Sequence, residues 1–166
     1  HGLQATVFEK RETLGGIVRN VIPGFRIGDD AIDNDIALIK KTGAEFVMGK
    51  EAPDVKELKA MGFDYIVLAC GAEKKGRLNI EGNVMNVIDF LYAFKNGGEL
   101  KLGRNVAVVG GGNTAMDAAR AAKRAEGVEK VTLVYRRNRR YMPADMEELE
   151  LAIEDGVEFM ELASPV

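Results

Sequence analysis

The run Val106-Ala-Val-Val-Gly-Gly-Gly-Asn-Thr-Ala-Met-Asp117 constrains the fold more than any other stretch of the chain. Val106 to Val109 form a continuous apolar segment, the pattern of a buried strand in a parallel sheet. Gly110, Gly111 and Gly112 interrupt it, and Asn113 to Arg124 then reads as a helix. The spacing Gly110-x-Gly112-x-x-Ala115 gives each small residue a task. Gly110 lets the strand turn sharply, Gly112 lets a pyrophosphate approach the backbone, and Ala115 lets the helix pack close to the strand. The helix then offers unpaired N–H groups and the positive end of its dipole to an anion. Gly110 and Gly112, with Gly111 between them, are therefore candidate contacts of a dinucleotide. Glycine turns also serve as plain connections, so the motif needs its context.

That context follows at once. Val131-Thr-Leu-Val-Tyr135 is a second apolar strand, which completes a β-α-β unit. Where a site for NAD would carry Asp or Glu at the end of this strand, the chain has Arg136-Arg137. A guanidinium clamps phosphate oxygens in a bidentate pair, which suits the 2′-phosphate of NADP. The expected cofactor at this unit is NADP(H).

Composition narrows the remaining classes. A chain of 166 residues, 46% hydrophobic and 30% charged, has the make-up of a globular protein of one ordinary or two small domains. The net charge of −3 gives no reason to expect nucleic acid or a membrane as partner. No apolar run approaches the roughly 20 residues that span a bilayer, and no secretory signal opens the sequence. The single cysteine, Cys70, rules out an internal disulfide and any cysteine-rich metal or iron–sulfur site within these residues. A cytoplasmic setting is the default expectation.

Read in order, Leu3 to Glu9 is a strand with Glu9 at its end. In a dinucleotide fold the acid that binds the ribose hydroxyls lies about 20 residues beyond the glycine motif, which puts such a motif ahead of His1. Lys10 to Gly16 is a polar loop closing on Gly15-Gly16, compatible also with a surface turn. Residues 17 to 28 carry no clear period and read as an ordered loop. Asp29 or Asp30 is expected to cap a helix with Ile32, Ile36 and Ile39 on one face, ending at Gly43. Glu45 to Met48 is a short strand, and Val55 to Met61 a short helix stopped by Gly62. Tyr65 to Ala72 reads as a buried strand ending in a small-residue turn, with Cys70 as a packed thiol. Lys74 to Gly82 is an expected exposed loop, and Asn86 to Phe94 an expected helix. The double glycine Gly97-Gly98 is the best domain boundary. Arg139, Arg140 and Tyr141 extend the basic cluster, for which nucleic-acid binding is a weaker reading in an acidic chain. Pro143 is expected to start a helix with Met146, Leu149 and Ile153 as its core stripe, and Val157 to Leu162 is a last strand.

Several of these pieces form a familiar series: Val7-Phe-Glu-Lys10 with Leu14-Gly-Gly16, Ile22-Pro-x-Phe-Arg26, Ile66-Val-Leu-Ala-Cys-Gly-Ala72, Gly110-Gly-Gly-Asn-Thr-Ala-Met-Asp117, and Tyr135-Arg-Arg with Met142-Pro-Ala144. Together they resemble the FAD- and NADPH-dependent oxidoreductases of the glutamate synthase small (beta) subunit type, within the pyridine nucleotide-disulfide oxidoreductase superfamily. The flavin region of dihydropyrimidine dehydrogenase and proteins labelled as selenate reductase subunits are similar. The resemblance covers essentially the whole chain.

The resemblance implies an α/β fold of Rossmann-like dinucleotide-binding layers in two incomplete domains, FAD-type over 1–98 and NAD(P)-type over 99–166. It implies that Glu9 holds the adenosine ribose of FAD, with Lys10 beside it among the cofactor-binding residues, that Gly15 and Gly16 line its pyrophosphate, and that Gly71 and Ala72 turn beside the flavin, with Cys70 where the family commonly has Thr. Gly110 to Thr114 would cradle NADPH, and Arg136 and Arg137 would take its 2′-phosphate. Electrons would pass from NADPH to FAD, then to iron–sulfur clusters in regions outside this sequence or to a partner domain or subunit. No catalytic acid or base is assigned, since the chemistry is the cofactors'. The chain is expected to be an internal piece of a larger flavoprotein, holding FAD poorly and inactive by itself. The reading of another class is a nucleotide-binding or docking module without turnover of its own.

Overall fold

A computed structural model of the chain describes residues 2–72, 76 and 80–165. Most of the expected loop over Lys74–Gly82 lies outside them. The chain divides into two compact units, His1–Arg19 with Ile27–Lys74, and Asn20–Arg26 with Lys75–Val166. Among the described residues, no helix is long and apolar enough to cross a membrane.

The first unit holds a parallel pair of strands, β1 (Thr6–Glu9) and β2 (Glu45–Met48), in the register Thr6↔Glu45 to Glu9↔Met48. Between them run α1 (Gly16–Asn20), which passes into the second unit, and α2 (Asp29–Lys41). Residues 17–20, read as loop, are thus helical. Arg19 fixes this turn by donating from Nε to the Leu14 carbonyl at 2.7 Å and pairing with Asp33. Neither Asp29 nor Asp30 caps α2; Gly28 holds the cap position without a side-chain bond, and both aspartates lie in the first turn. There they complement the helix dipole, as Lys40 and Lys41 do in the last turn. Of its expected stripe only Ile32 is buried, and Ile39 is 50% exposed. Helix α3 (Val55–Ala60) is capped by Asp54, whose carboxylate accepts from the N–H groups of Lys56 and Glu57.

One expectation fails in this unit. Tyr65 to Ala72 forms no strand, Val67 is 86% exposed, and Cys70 is exposed and not packed. The reason is pairing. An apolar extended segment becomes a strand only where a neighbour takes up its N–H and C=O groups, and no strand among the described residues lies beside it.

The second unit is a parallel sheet of β3 (Asn105–Val109), β4 (Lys130–Tyr135) and β5 (Glu158–Glu161), ordered β3-β4-β5. The strand order steps in one direction, and the connecting helices α5 (Asn113–Lys123) and α6 (Met146–Glu154) pack against each other. Ala118, Ala119, Ala121 and Ala122 of α5 are at most 3% exposed, so the helix backbone approaches the sheet closely over Val131 and Leu133. Helix α4 (Val87–Lys95), capped by Asn86, packs against α5 through the buried Phe90 and Leu91. Burial is one-sided: Val106 and Val108 join the core, whereas Ala107 is exposed and Val109 is 42% exposed. The core stripe of α6 is Leu149 with Ala152; Met146 and Ile153, expected there, are nearly half exposed. Pro143 lies ahead of that helix, which begins at Met146.

Candidate functional site

The turn between β3 and α5 is built from several directions. Gly110 has φ 156°, and a Cβ there would lie 3.1 Å from the Ala115 Cβ, so the small pair sets how closely helix and strand pass. A Cβ on Gly111 would lie 2.6 Å from Cδ2 of Tyr135, the last residue of β4, whose ring fills that space. Gly112 is different, with nothing within 4 Å of its Cβ position. It is also the N-cap residue of α5 and offers no side chain to close the helix; the Ala115 N–H turns back to the Gly112 carbonyl at 2.8 Å, and the N–H groups of Asn113 and Thr114 have no side-chain cap. This is the arrangement an anion needs.

The arginines stand at the same end of the sheet. The Gly110 N–H donates to the Val134 carbonyl at 3.1 Å, which joins the end of β3 to the end of β4. Arg136 and Arg137 follow β4 directly, both exposed. No guanidinium of Arg136, Arg137, Arg139 or Arg140 pairs with a carboxylate among the described residues, although the Arg139 backbone N–H donates to Glu161 at 2.7 Å. The loop carrying them is tied down elsewhere. Tyr135 Oη donates to the Tyr141 carbonyl at 2.7 Å, the Ala144 N–H to the Gly111 carbonyl at 3.0 Å, and Asn113 pairs with Asp145. Thr114 lies in the first turn of α5.

The other candidates belong to the first unit. Glu9 ends β1, and its Oε1 accepts from the Arg11 N–H at 2.9 Å, leaving Oε2 without a protein donor among the described residues. Lys10 is exposed, and Gly15 and Gly16 have φ 114° and 51° at the start of α1. Gly71 and Ala72 lie at the end of the exposed, unpaired segment. Glu9, Lys10, Gly15 and Gly16 thus lie along the chain between the end of β1 and the start of α1, while Gly71 and Ala72 belong to no sheet among the described residues.

Behind the glycine turn lies a charge cluster that sequence reasoning missed. Arg26 donates to Asp117 at 3.0 Å and to Glu148 at 2.7 Å. Arg120 and Arg124 both hold Asp155, at 2.6 and 2.7 Å, and both stand over the Phe25 ring, 4.8 and 4.4 Å from its centroid. Burial raises the Asp117 carboxyl above the ordinary aspartate range, against the opposing pull of Arg26 and Arg120. The Asp155 carboxyl is lowered, first by the hydrogen bond from Arg124. Glu148 Oε2 is buried and accepts no hydrogen bond, since Arg120 Nη1 stays 3.8 Å away. The segment Asn20–Arg26 therefore packs as part of the second unit. Ile22-Pro-x-Phe-Arg26 was the available signal, but its partner on α5 cannot be read from local pattern.

With this geometry in view, comparison with known proteins is informative. Residues 8–165 match the pyridine nucleotide-disulphide oxidoreductase family. The chain belongs to that family. YgfK of Escherichia coli (strain K12) is 46% identical to this pyridine nucleotide-disulphide oxidoreductase chain over 99% of its length. The glutamate synthase [NADPH] small chain of Azospirillum brasilense is 30% identical over 99%. The chain spans only 16% and 38% of the lengths of these two relatives. Among solved structures, Mycobacterium tuberculosis FprA in complex with NADPH has the same fold, with a TM-score of 0.77 at 20% identity over 91% of this chain and 40% of FprA. A Rossmann-like α/β fold and membership of the family expected from the motifs are both borne out.

Proposed function

We propose that this chain supplies the NADPH-binding β-α-β unit, and part of the FAD-binding unit, of a larger oxidoreductase that passes electrons from NADPH through FAD to a partner domain or subunit. The observation that carries the reading is the open, uncapped tip of α5 at Gly112, at the same sheet end as the unpaired Arg136 and Arg137. The residues fit the group. A pyrophosphate needs backbone N–H donors with no side chain in the way, and a 2′-phosphate needs guanidiniums not already neutralised. Glu9, with one carboxylate oxygen available at the end of β1, suits a ribose diol, and Gly15, Gly16, Gly71 and Ala72 would accompany it.

In this reading the chain binds and orients. Gly110 and Ala115 hold the helix tip near the strand end, and Gly112 leaves the approach clear. Arg136 and Arg137 distinguish the phosphorylated ribose from the plain one. The redox chemistry, a hydride leaving the nicotinamide for the flavin, is supplied by the cofactors when bound. The onward path, including iron–sulfur clusters, belongs to the longer protein.

Replacing Arg136 and Arg137 with Ala tests this. At about 1.5–3 kcal/mol per charge-assisted hydrogen bond, NADPH binding should weaken by a few kcal/mol and NADH binding far less. Equal losses for both nucleotides in titration calorimetry would refute the assignment. NADPH-dependent reduction of an artificial electron acceptor, with and without added FAD, separates turnover from binding alone.

A further inference from the structure

Asp145 stands immediately before α6, where an aspartate ordinarily accepts from the N–H groups of the first helical turn. No side-chain bond caps α6. The carboxylate instead accepts from Asn113 Nδ2 at 3.1 Å, and the Asp145 backbone N–H donates to Asn113 Oδ1 at 3.0 Å. Both polar atoms of one carboxamide are thus engaged by one residue. Asn113 is the first residue of α5, directly after Gly112, whereas Asp145 closes the loop that carries Arg136 and Arg137. The neighbouring bond from the Ala144 N–H to the Gly111 carbonyl joins the same two segments. A dinucleotide touching both segments, one with its pyrophosphate and the other with its 2′-phosphate, needs them held at a constant separation.

We propose that the reciprocal Asn113–Asp145 pair is a latch that sets selectivity for NADP(H) over NAD(H), by holding the arginine loop against the glycine turn; the proposal rests on the NADPH reading above. Asp145 is then a positioning residue, and the Asn113 side chain serves the loop, leaving only its backbone for the pyrophosphate. Charge alone predicts the opposite sign. A carboxylate beside a phosphate site repels the ligand, so its removal should tighten NADPH. The latch requires its removal to weaken NADPH.

Dissociation constants for NADPH and NADH, measured on wild type, Asp145→Ala and Asp145→Asn, decide between the two. Asp145→Ala is expected to weaken NADPH by about tenfold, with NADH changed by less than about twofold, as when a charge-assisted contact is lost from one ligand only. Asp145→Asn keeps an acceptor for Asn113 Nδ2 and should bind NADPH at least as well as wild type. Unchanged or tighter NADPH binding by Asp145→Ala overturns the latch, and so does an equal loss for both nucleotides. If Asp145→Ala does not fold, weaker NADPH binding by a folded Asp145→Asn overturns it too. A wild type without preference for NADPH would instead bring down the reading on which the latch rests.

Discussion

Arg26 and Asp117, 91 positions apart, share a hydrogen-bonded ion pair of 3.0 Å in which the aspartate is 5% exposed. The pair fastens the Asn20–Arg26 segment to the middle of α5, and Glu148 of α6 takes the other arm of the same guanidinium. Replacing Arg26 with Met leaves the buried Asp117 carboxylate without its donor and Glu148 without its 2.7 Å partner. Loss of about 2–3 kcal/mol is expected, at or below the lower end for a broken buried pair because Arg26 keeps 27% of its side-chain exposure. Urea denaturation should show it, and the double variant R26M/D117N should recover part of the loss.

Gly111 and Gly112 are adjacent yet should respond oppositely to the same methyl group. Gly111→Ala drives a Cβ into the Tyr135 ring and should cost about 1–3 kcal/mol by overpacking. Gly112→Ala meets nothing within 4 Å at φ −99°, so the melting temperature should hold while NADPH affinity falls. Thermal melts paired with nucleotide titration separate the two effects.

The two titrating aspartates of the cluster should pull stability in opposite directions. Asp155 is lowered, so its contribution is complete above the ordinary aspartate value of about 3.9 and is lost as pH falls through its lower folded value. Asp155→Asn should therefore be less stable than wild type at neutral pH, with the difference shrinking in acid. Asp117 is raised, so its contribution is present below about 3.9 and is lost as pH rises through its higher folded value. Relative to wild type, Asp117→Asn should gain as pH rises across that interval. Denaturation midpoints measured from acid to neutral pH would reveal the wrong sign in either case.

The exposed segment offers a surface test. Val67 and Leu68 are 86% and 77% exposed, so Val67→Glu and Leu68→Lys should change folding stability by no more than about 0.5 kcal/mol. They should also reduce self-association, because an unpaired apolar stretch is a template for edge pairing. Melting curves and light scattering as a function of concentration check both halves.

Much of this architecture could be read from sequence because its signals are local. The glycine spacing after Val106–Val109, the alanines of α5 and the arginines after Tyr135 each sit within one β-α-β unit. Short range also explains why Glu9 was found at the end of its strand. What escaped reading depends on distant partners. Residues 17–28 lack a period because Phe25 and Arg26 satisfy side chains of α5 and α6 and not each other. The helix expected from Pro143 begins instead at Met146, and nothing near Asp145 announces that Asn113 will claim its carboxylate. Tyr65 to Ala72 misled for a related reason, as composition reports what a segment could bury and not whether a neighbour exists.

The Tyr135 ring against Gly111 makes the two positions one mechanical part. A β3–α5 turn transplanted into another sheet would bring its glycines and leave behind the aromatic wedge that shapes them, because that wedge comes from the next strand. Any lineage that enlarges residue 111 must trim residue 135 at the same time, and trimming it also releases the Tyr141 carbonyl that steadies the arginine loop. Grafting or recombination of this module should therefore succeed only when both strand ends travel together.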